Sequence, residues 1–166
     1  MVEYMNNNEL PKRKANRLAN YDYSQIGAYF ITICVKDRNP ILSKIIFNSI
    51  YPNEIMLSKY GLIVANEILN IENRFDNAKV LDYVVMPNHI HLIIQLDNCS
   101  CSLGQIIGSL KSIATLQCKK IGYTDDKLFQ RNYYDHIIRN EDDYLAKSNY
   151  IMNNPEKWLD DKYFKS

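Results

Sequence analysis

The chain has 166 residues, 20 basic and 19 acidic, a net charge of +1, and is 46% hydrophobic and 23% charged. That composition excludes wholesale disorder, a collagen-like chain and a disulfide scaffold, and a domain of this length can bury a core without staples. It provides no global field to draw in a polyanion.

Residues 1–24 are polar and carry Asn6, Asn7, Asn8, Pro11 and the basic group Lys12, Arg13, Lys14 and Arg17, which reads as a partly extended basic arm before a single domain over 25–166. No apolar run there resembles a signal core, and none anywhere approaches the roughly 18 residues of a membrane span, so the cytoplasm is the expected compartment. The run AYFITICV, 28–35, is short, aromatic and β-branched, and predicts a buried strand closed by Asp37-Arg38-Asn39-Pro40. From Ser58 to Phe75, Leu62, Ile63, Ala65, Ile68 and Leu69 recur at helical spacing, with Ser58 as N-cap. Residues 79–86 and 89–96 are two β-rich runs separated only by Pro87-Asn88, an antiparallel hairpin. A second helix over 102–120 has Ser102 as N-cap, an apolar stripe through Leu103, Ile106, Ile107, Leu110, Ile113, Ala114 and Leu116, and Gly122 just past its end. YYDHIIR, 133–139, predicts a fourth strand, after which Asn140 caps a helix with Glu141, Asp142 and Asp143 in its first turn and Pro155 as its stop. The order βαββαβ plus a C-terminal helix predicts an α+β, ferredoxin-like fold: an antiparallel sheet with helices on one face. Cys34, Cys99, Cys101 and Cys118 form no C-x-x-C pair and read as free thiols.

His89 and His91 stand two apart in a predicted strand, so both imidazoles point to one face while Ile90, Leu92, Ile94 and Leu96 take the other. Two neutral imidazoles so placed can share a divalent cation. The spacing alone equally fits two half-buried histidines bonded to neighbours.

The surrounding segment DYVVMPNHIHLIIQL resembles the signature of the single-tyrosine HUH transposases, in particular the REP-associated tyrosine transposases. YDYSQIGAYFITICVKDRNP is similar to that family's first strand, FQRNYYDHIIRNEDDY to its fourth strand and helix start, and NYIMNNPEKWLDD to its closing motif, together covering most of residues 13–161. The resemblance implies an enzyme that cuts and rejoins single-stranded DNA at the foot of a hairpin or imperfect palindrome through a 5′-phosphotyrosine. It implies His89 and His91 as metal ligands, Tyr150 as nucleophile and Asn154 as a third ligand, with Mg2+ or Mn2+ as the ion and a nucleoid-associated place in the cytoplasm. Asn154 precedes Pro155, which disfavours helix at that residue and weakens its assignment. Monomers and homodimers, with the tyrosine acting in cis or in trans, are both compatible with the resemblance.

A phenol of pKa about 10 is mostly protonated at neutral pH, so the chemistry needs a nearby positive charge or base and an activated phosphate. Among thirteen tyrosines, Tyr144 lies six residues before Tyr150, about 600° of helix rotation and so off its face. His136 reads as a structural or DNA-facing residue. Lys12, Arg13, Lys14 and Arg17, with Lys111, Lys119, Lys120, Arg131 and Arg139, are the candidate DNA phosphate contacts. Two alternatives keep the histidine pair but not the covalent step: a domesticated hairpin-binding protein that does not cut, and a metal-dependent phosphoesterase that uses water.

Overall fold

The structure, a computed structural model, describes residues 26–50, 52–98 and 100–160. The proposed arm, with Lys12, Arg13, Lys14 and Arg17, lies outside the described residues, as does Cys99. Four strands, β1 (Gly27–Cys34), β4 (Ala78–Val85), β5 (His89–Leu96) and β6 (Tyr134–Ile138), form one antiparallel sheet in the order β4-β5-β1-β6. This is the sheet the hydrophobic runs predict.

One face of the sheet carries the main core. Tyr29, Ile31 and Ile33 of β1 and Ile90, Leu92, Ile94 and Leu96 of β5 are buried there against Val64, Ala65 and Ile68 of α1 (Lys59–Leu69) and Leu103, Ile106, Ile107, Leu110, Ala114 and Cys118 of α3 (Leu103–Lys120). Both helix starts follow from their caps. The Ser58 hydroxyl accepts from the Tyr60 and Gly61 amides, and Ser102 and Gln105 form a reciprocal capping box. Gly61 is required for a different reason: a Cβ there would lie 1.9 Å from the Leu42 carbonyl oxygen, so the helix and the preceding loop approach as closely as they do only through glycine.

The expected continuous helix over 58–75 is corrected to two. α1 ends at Leu69, Asn70 with ψ −3° is the junction, and the short α2 (Ile71–Arg74) follows. Asn is a weak helix former, and the Asn70 carboxamide accepts from the Asn73 side chain, Nδ2, across the break. A hairpin of β2 (Ser43–Ile46) and β3 (Glu54–Leu57) is an addition the sequence did not announce. Its Ile45 and Ile55 pack toward the second sheet face while Ile46, Phe47 and Met56 are exposed, so no clean apolar-polar alternation marks it.

The second face is smaller and belongs to the C-terminus. Phe30, Val84, Met86 and Ile93 project from it and are covered by Ile151 of α4 (Glu141–Met152) and by Trp158 beyond it. A register shift between Val80 and Asp82 in β4 turns Asp82 onto this face, because one extra residue inverts the side-chain alternation. The main helices and α4 thus sandwich the sheet, with His89 and His91 on the α4 side. No helix among the described residues is long and apolar enough to cross a membrane.

Candidate active site

The pairing of β1 with β5 sets Thr32 opposite His91 and Cys34 opposite His89. Both imidazoles are buried, with ring centroids 4.5 Å apart. Each is fixed through Nδ1: that of His91 shares a 2.8 Å hydrogen bond with Thr32 Oγ1, and that of His89 lies 2.9 Å from Asn88 Oδ1. An Nδ1–H donated to a carboxamide oxygen leaves the lone pair on Nε2, the tautomer that suits a metal ligand. Asn88 also donates through Nδ2 to the Arg38 carbonyl at 3.3 Å, in a turn where Asp37 and Arg38 both hold positive φ, 56° and 55°. Left-handed backbone at two successive non-glycine residues is strained and persists where neighbours over-determine it. Here the turn after β1 and the orientation of His89 share one carboxamide.

Tyr150 is brought to this pair by α4. Its ring meets His91 edge-on at a centroid distance of 5.1 Å and Phe30 at 5.9 Å, while Phe30 itself stacks on His91 at 5.2 Å. Tyr150 remains 37% exposed, which leaves a route for an extended polymer to reach a phenol held beside buried imidazoles. Within the described chain, the Tyr150 ring lies against the His91 ring.

Past the helix end, Asn154 sits in the turn between Ile151 and Trp158, its amide donating to the Ile151 carbonyl. Trp158 in turn lies 6.0 Å from His89, ring to ring. Asn154 is 1% exposed, and neither its Oδ1 nor its Nδ2 has a hydrogen-bond partner among the described residues. A buried carboxamide in that state costs about 1–3 kcal/mol, a penalty that a ligand for the oxygen would remove. No group of three or more His, Cys, Asp and Glu side chains among the described residues could hold a metal. Two imidazoles and one neutral carboxamide oxygen are nevertheless a donor set that fits a divalent cation of the magnesium or manganese kind.

The start of α4 is tied down on the same sheet face. His136 of β6, opposite Phe30, contacts both Asp143 oxygens through Nε2 at 2.9 and 3.0 Å. The Arg139 amide donates to the same carboxylate, and the Asp143 amide donates to the capping Asn140 side chain. The hydrogen bond to His136 is the main reason that the Asp143 carboxyl is held below its ordinary value. A carboxylate depressed on folding contributes stability that is fully present above its unfolded pKa and is lost as pH falls through the folded one. Asp143→Asn should therefore be less stable than the natural chain by about 1 kcal/mol at neutral pH. The difference should begin to narrow below about pH 4, where free aspartate protonates, and close as pH falls through the lower folded pKa, in thermal melts across pH. A gap that does not change with pH would contradict the clamp.

One residue further, the Tyr144 hydroxyl donates to Asp82 Oδ2 at 3.0 Å, a bond made possible by the register shift in β4. That carboxylate pushes the Tyr144 phenol above its usual pKa, which keeps it protonated and disfavours it as a nucleophile.

The candidate DNA contacts separate into two places. Lys111, Lys119 and Arg131 line one groove of about 460 Å3 together with Lys127, between α3 and the loop before β6, on the helix layer away from the histidines. Lys111 is committed within it: its ammonium donates to the carbonyls of Gln130, Arg131 and Asn132 at 3.0–3.2 Å, which makes it the anchor of that loop. Lys119 is 3.9 Å from Asp126. Lys120 is exposed at the end of α3, and Arg139 is exposed at the start of α4. Thr32, Asn88, Phe30, Lys147 and Trp158 surround the site without having been singled out in the sequence, although Asn88 stands next to His89 and the others follow only from strand register and helix packing.

Known proteins resemble this chain. The family described as "Transposase IS200 like" matches residues 23–154. An uncharacterized protein of Haemophilus influenzae is 32% identical over 92% of this chain and 93% of its own length. A second protein of that organism, named "Putative REP-associated tyrosine transposase", is 27% identical over 84% of this chain and 77% of its own. Among solved structures, a REP-associated tyrosine transposase bound to a REP hairpin shares the fold with a TM-score of 0.64 at 20% identity, covering 85% of this chain and 73% of that one.

Proposed function

The chain belongs to the IS200-like transposase family, and from that premise we propose that it cleaves and rejoins hairpin-bearing single-stranded DNA with Tyr150 as nucleophile. The observation that carries the reading is the contact between the Tyr150 and His91 rings, which joins the phenol to the buried histidine pair within one chain. The hairpin enters by analogy with the REP hairpin held by the structural relative.

In the proposed step Tyr150 Oη attacks the phosphorus in line, the bond from phosphorus to the 3′ oxygen breaks, and a 5′-phosphotyrosine and a free 3′-OH result. The phenolic proton leaves to solvent and the departing oxygen takes one up. Attack by a 3′-OH on the phosphotyrosine reverses the step, so rejoining conserves the bond energy. A divalent cation held by His89, His91 and Asn154 would supply charge neutralisation and polarisation at the phosphate. The chain's own contribution is positional. Thr32 and Asn88 orient the imidazoles, and the His136–Asp143 and Tyr144–Asp82 contacts fix the helix that carries the phenol.

The test is incubation with 5′- or 3′-labelled hairpin oligonucleotides in Mn2+, Mg2+ or EDTA, resolved on a denaturing gel. A protein–DNA band that carries the label from the 3′ side of the cut and needs the metal is expected. Cleavage without such a band would replace the tyrosine with water, and hairpin binding without cleavage would leave a binding module.

A further inference from the structure

Lys147 is a charged residue beside the site that the proposed chemistry has not used. It stands one turn before Tyr150 on α4, and residues three apart on a helix are neighbours on its surface. Its ammonium lies over the Phe30 ring, 5.4 Å from the centroid, and that ring also touches Tyr150 and His91. A cation, a phenol and a buried imidazole thus converge on one aromatic side chain. The residue is half-buried, and its ammonium makes no salt bridge among the described residues. The acidic group one turn away, Asp143, is already bonded to His136 and the Arg139 amide.

We propose that Lys147 contacts the backbone phosphate that Tyr150 attacks, holding it over the His91–Phe30–Tyr150 cluster. The proposal rests on the reading of Tyr150 as nucleophile. A cation–π contact restrains a lysine without neutralising it, so the ammonium keeps its charge for an anion arriving at the exposed side of Tyr150. Charge on the phosphoryl oxygens is neutralised where it is greatest, which makes the contact worth more in the transition state than in the bound ground state.

The experiment compares Lys147→Met, Lys147→Arg and the natural chain by two readouts. The first is hairpin DNA affinity against salt concentration, in EDTA and in a Tyr150→Phe background, so that no chemistry intervenes. Lys147→Met should lower the slope of log K against log salt by about 0.7, the value for one lost single-strand phosphate contact, and Lys147→Arg should restore it. The second is the rate of adduct formation with metal, which should fall about 100-fold in Lys147→Met, with kcat falling more than KM rises. Lys59→Met, which removes an ammonium bonded to the Ile121 carbonyl on the opposite layer, should leave both unchanged. An unchanged slope in a folded Lys147→Met, or no binding of hairpin DNA by the natural chain, would overturn the proposal. A reduced slope with no adduct from the natural chain would keep the phosphate contact and overturn the nucleophile reading instead.

Discussion

Tyr150→Phe is expected to lower both DNA cleavage and covalent adduct formation by about 1000-fold or more, because a covalent mechanism has no substitute for its nucleophile. Hairpin affinity should stay within about twofold, since the ring contacts with His91 and Phe30 need only the aromatic ring. Loss of the hydroxyl at a position 37% exposed should change stability by less than about 0.5 kcal/mol. Tyr144→Phe is the matched control: it removes the 3.0 Å bond to Asp82, costs about 1 kcal/mol and should still form the adduct. A gel assay of the two variants beside the natural chain reads all of this. Cleavage by Tyr150→Phe at the natural rate would contradict the role given to the phenol.

Asn154→Leu should separate a metal ligand from an ordinary core residue through the sign of its effect. The carboxamide is buried, and neither polar atom has a partner among the described residues. Replacing it with an apolar side chain of similar size should therefore leave the metal-free protein unchanged or more stable by about 1 kcal/mol. With Mn2+ present, the natural chain should gain stability by binding linkage. The leucine variant should lose at least tenfold in metal affinity, about 1.4 kcal/mol of that gain. Thermal melts in EDTA and over a Mn2+ series provide both halves. A variant destabilised in EDTA with an intact metal shift would mean that the carboxamide is satisfied within the fold. His91→Ala should abolish the metal shift as well, but it also vacates a buried ring stacked on Phe30, so its loss of stability is less diagnostic.

Much of this architecture was legible because its signals are local. Ser58, Ser102 and Asn140 announced three helix starts through side-chain oxygens that reach the next turn, and all three bonds are present. The strand period puts His89 and His91 on one face, while Ile90, Leu92, Ile94 and Leu96 face the main core. What escaped depends on contacts distant in sequence. The β2–β3 hairpin is four residues per strand with apolar side chains on both faces, and no periodicity identifies such a segment. Lys111 reads in the sequence as a phosphate contact, and nothing local announces that its ammonium sits on three carbonyls some twenty residues away. Thr32 and Asp82 acquired roles only through strand register, the second through a one-residue shift in β4. Lys147 lies beside Tyr150 on the helix, but nothing in the sequence says that Phe30 rises beneath both.

The most direct test of the account is to trap the covalent product and locate it. The natural chain, incubated with hairpin DNA and Mn2+, would be digested with nuclease and trypsin, and the peptides sequenced by mass spectrometry. Cleavage after Lys147 and Lys157 releases residues 148–157, in which Tyr150 is the one tyrosine. A nucleotide phosphate mass is expected on Tyr150 in that peptide, dependent on metal. Nucleotide on Tyr144 or any other tyrosine, or cut DNA with every tyrosine unmodified, would contradict it.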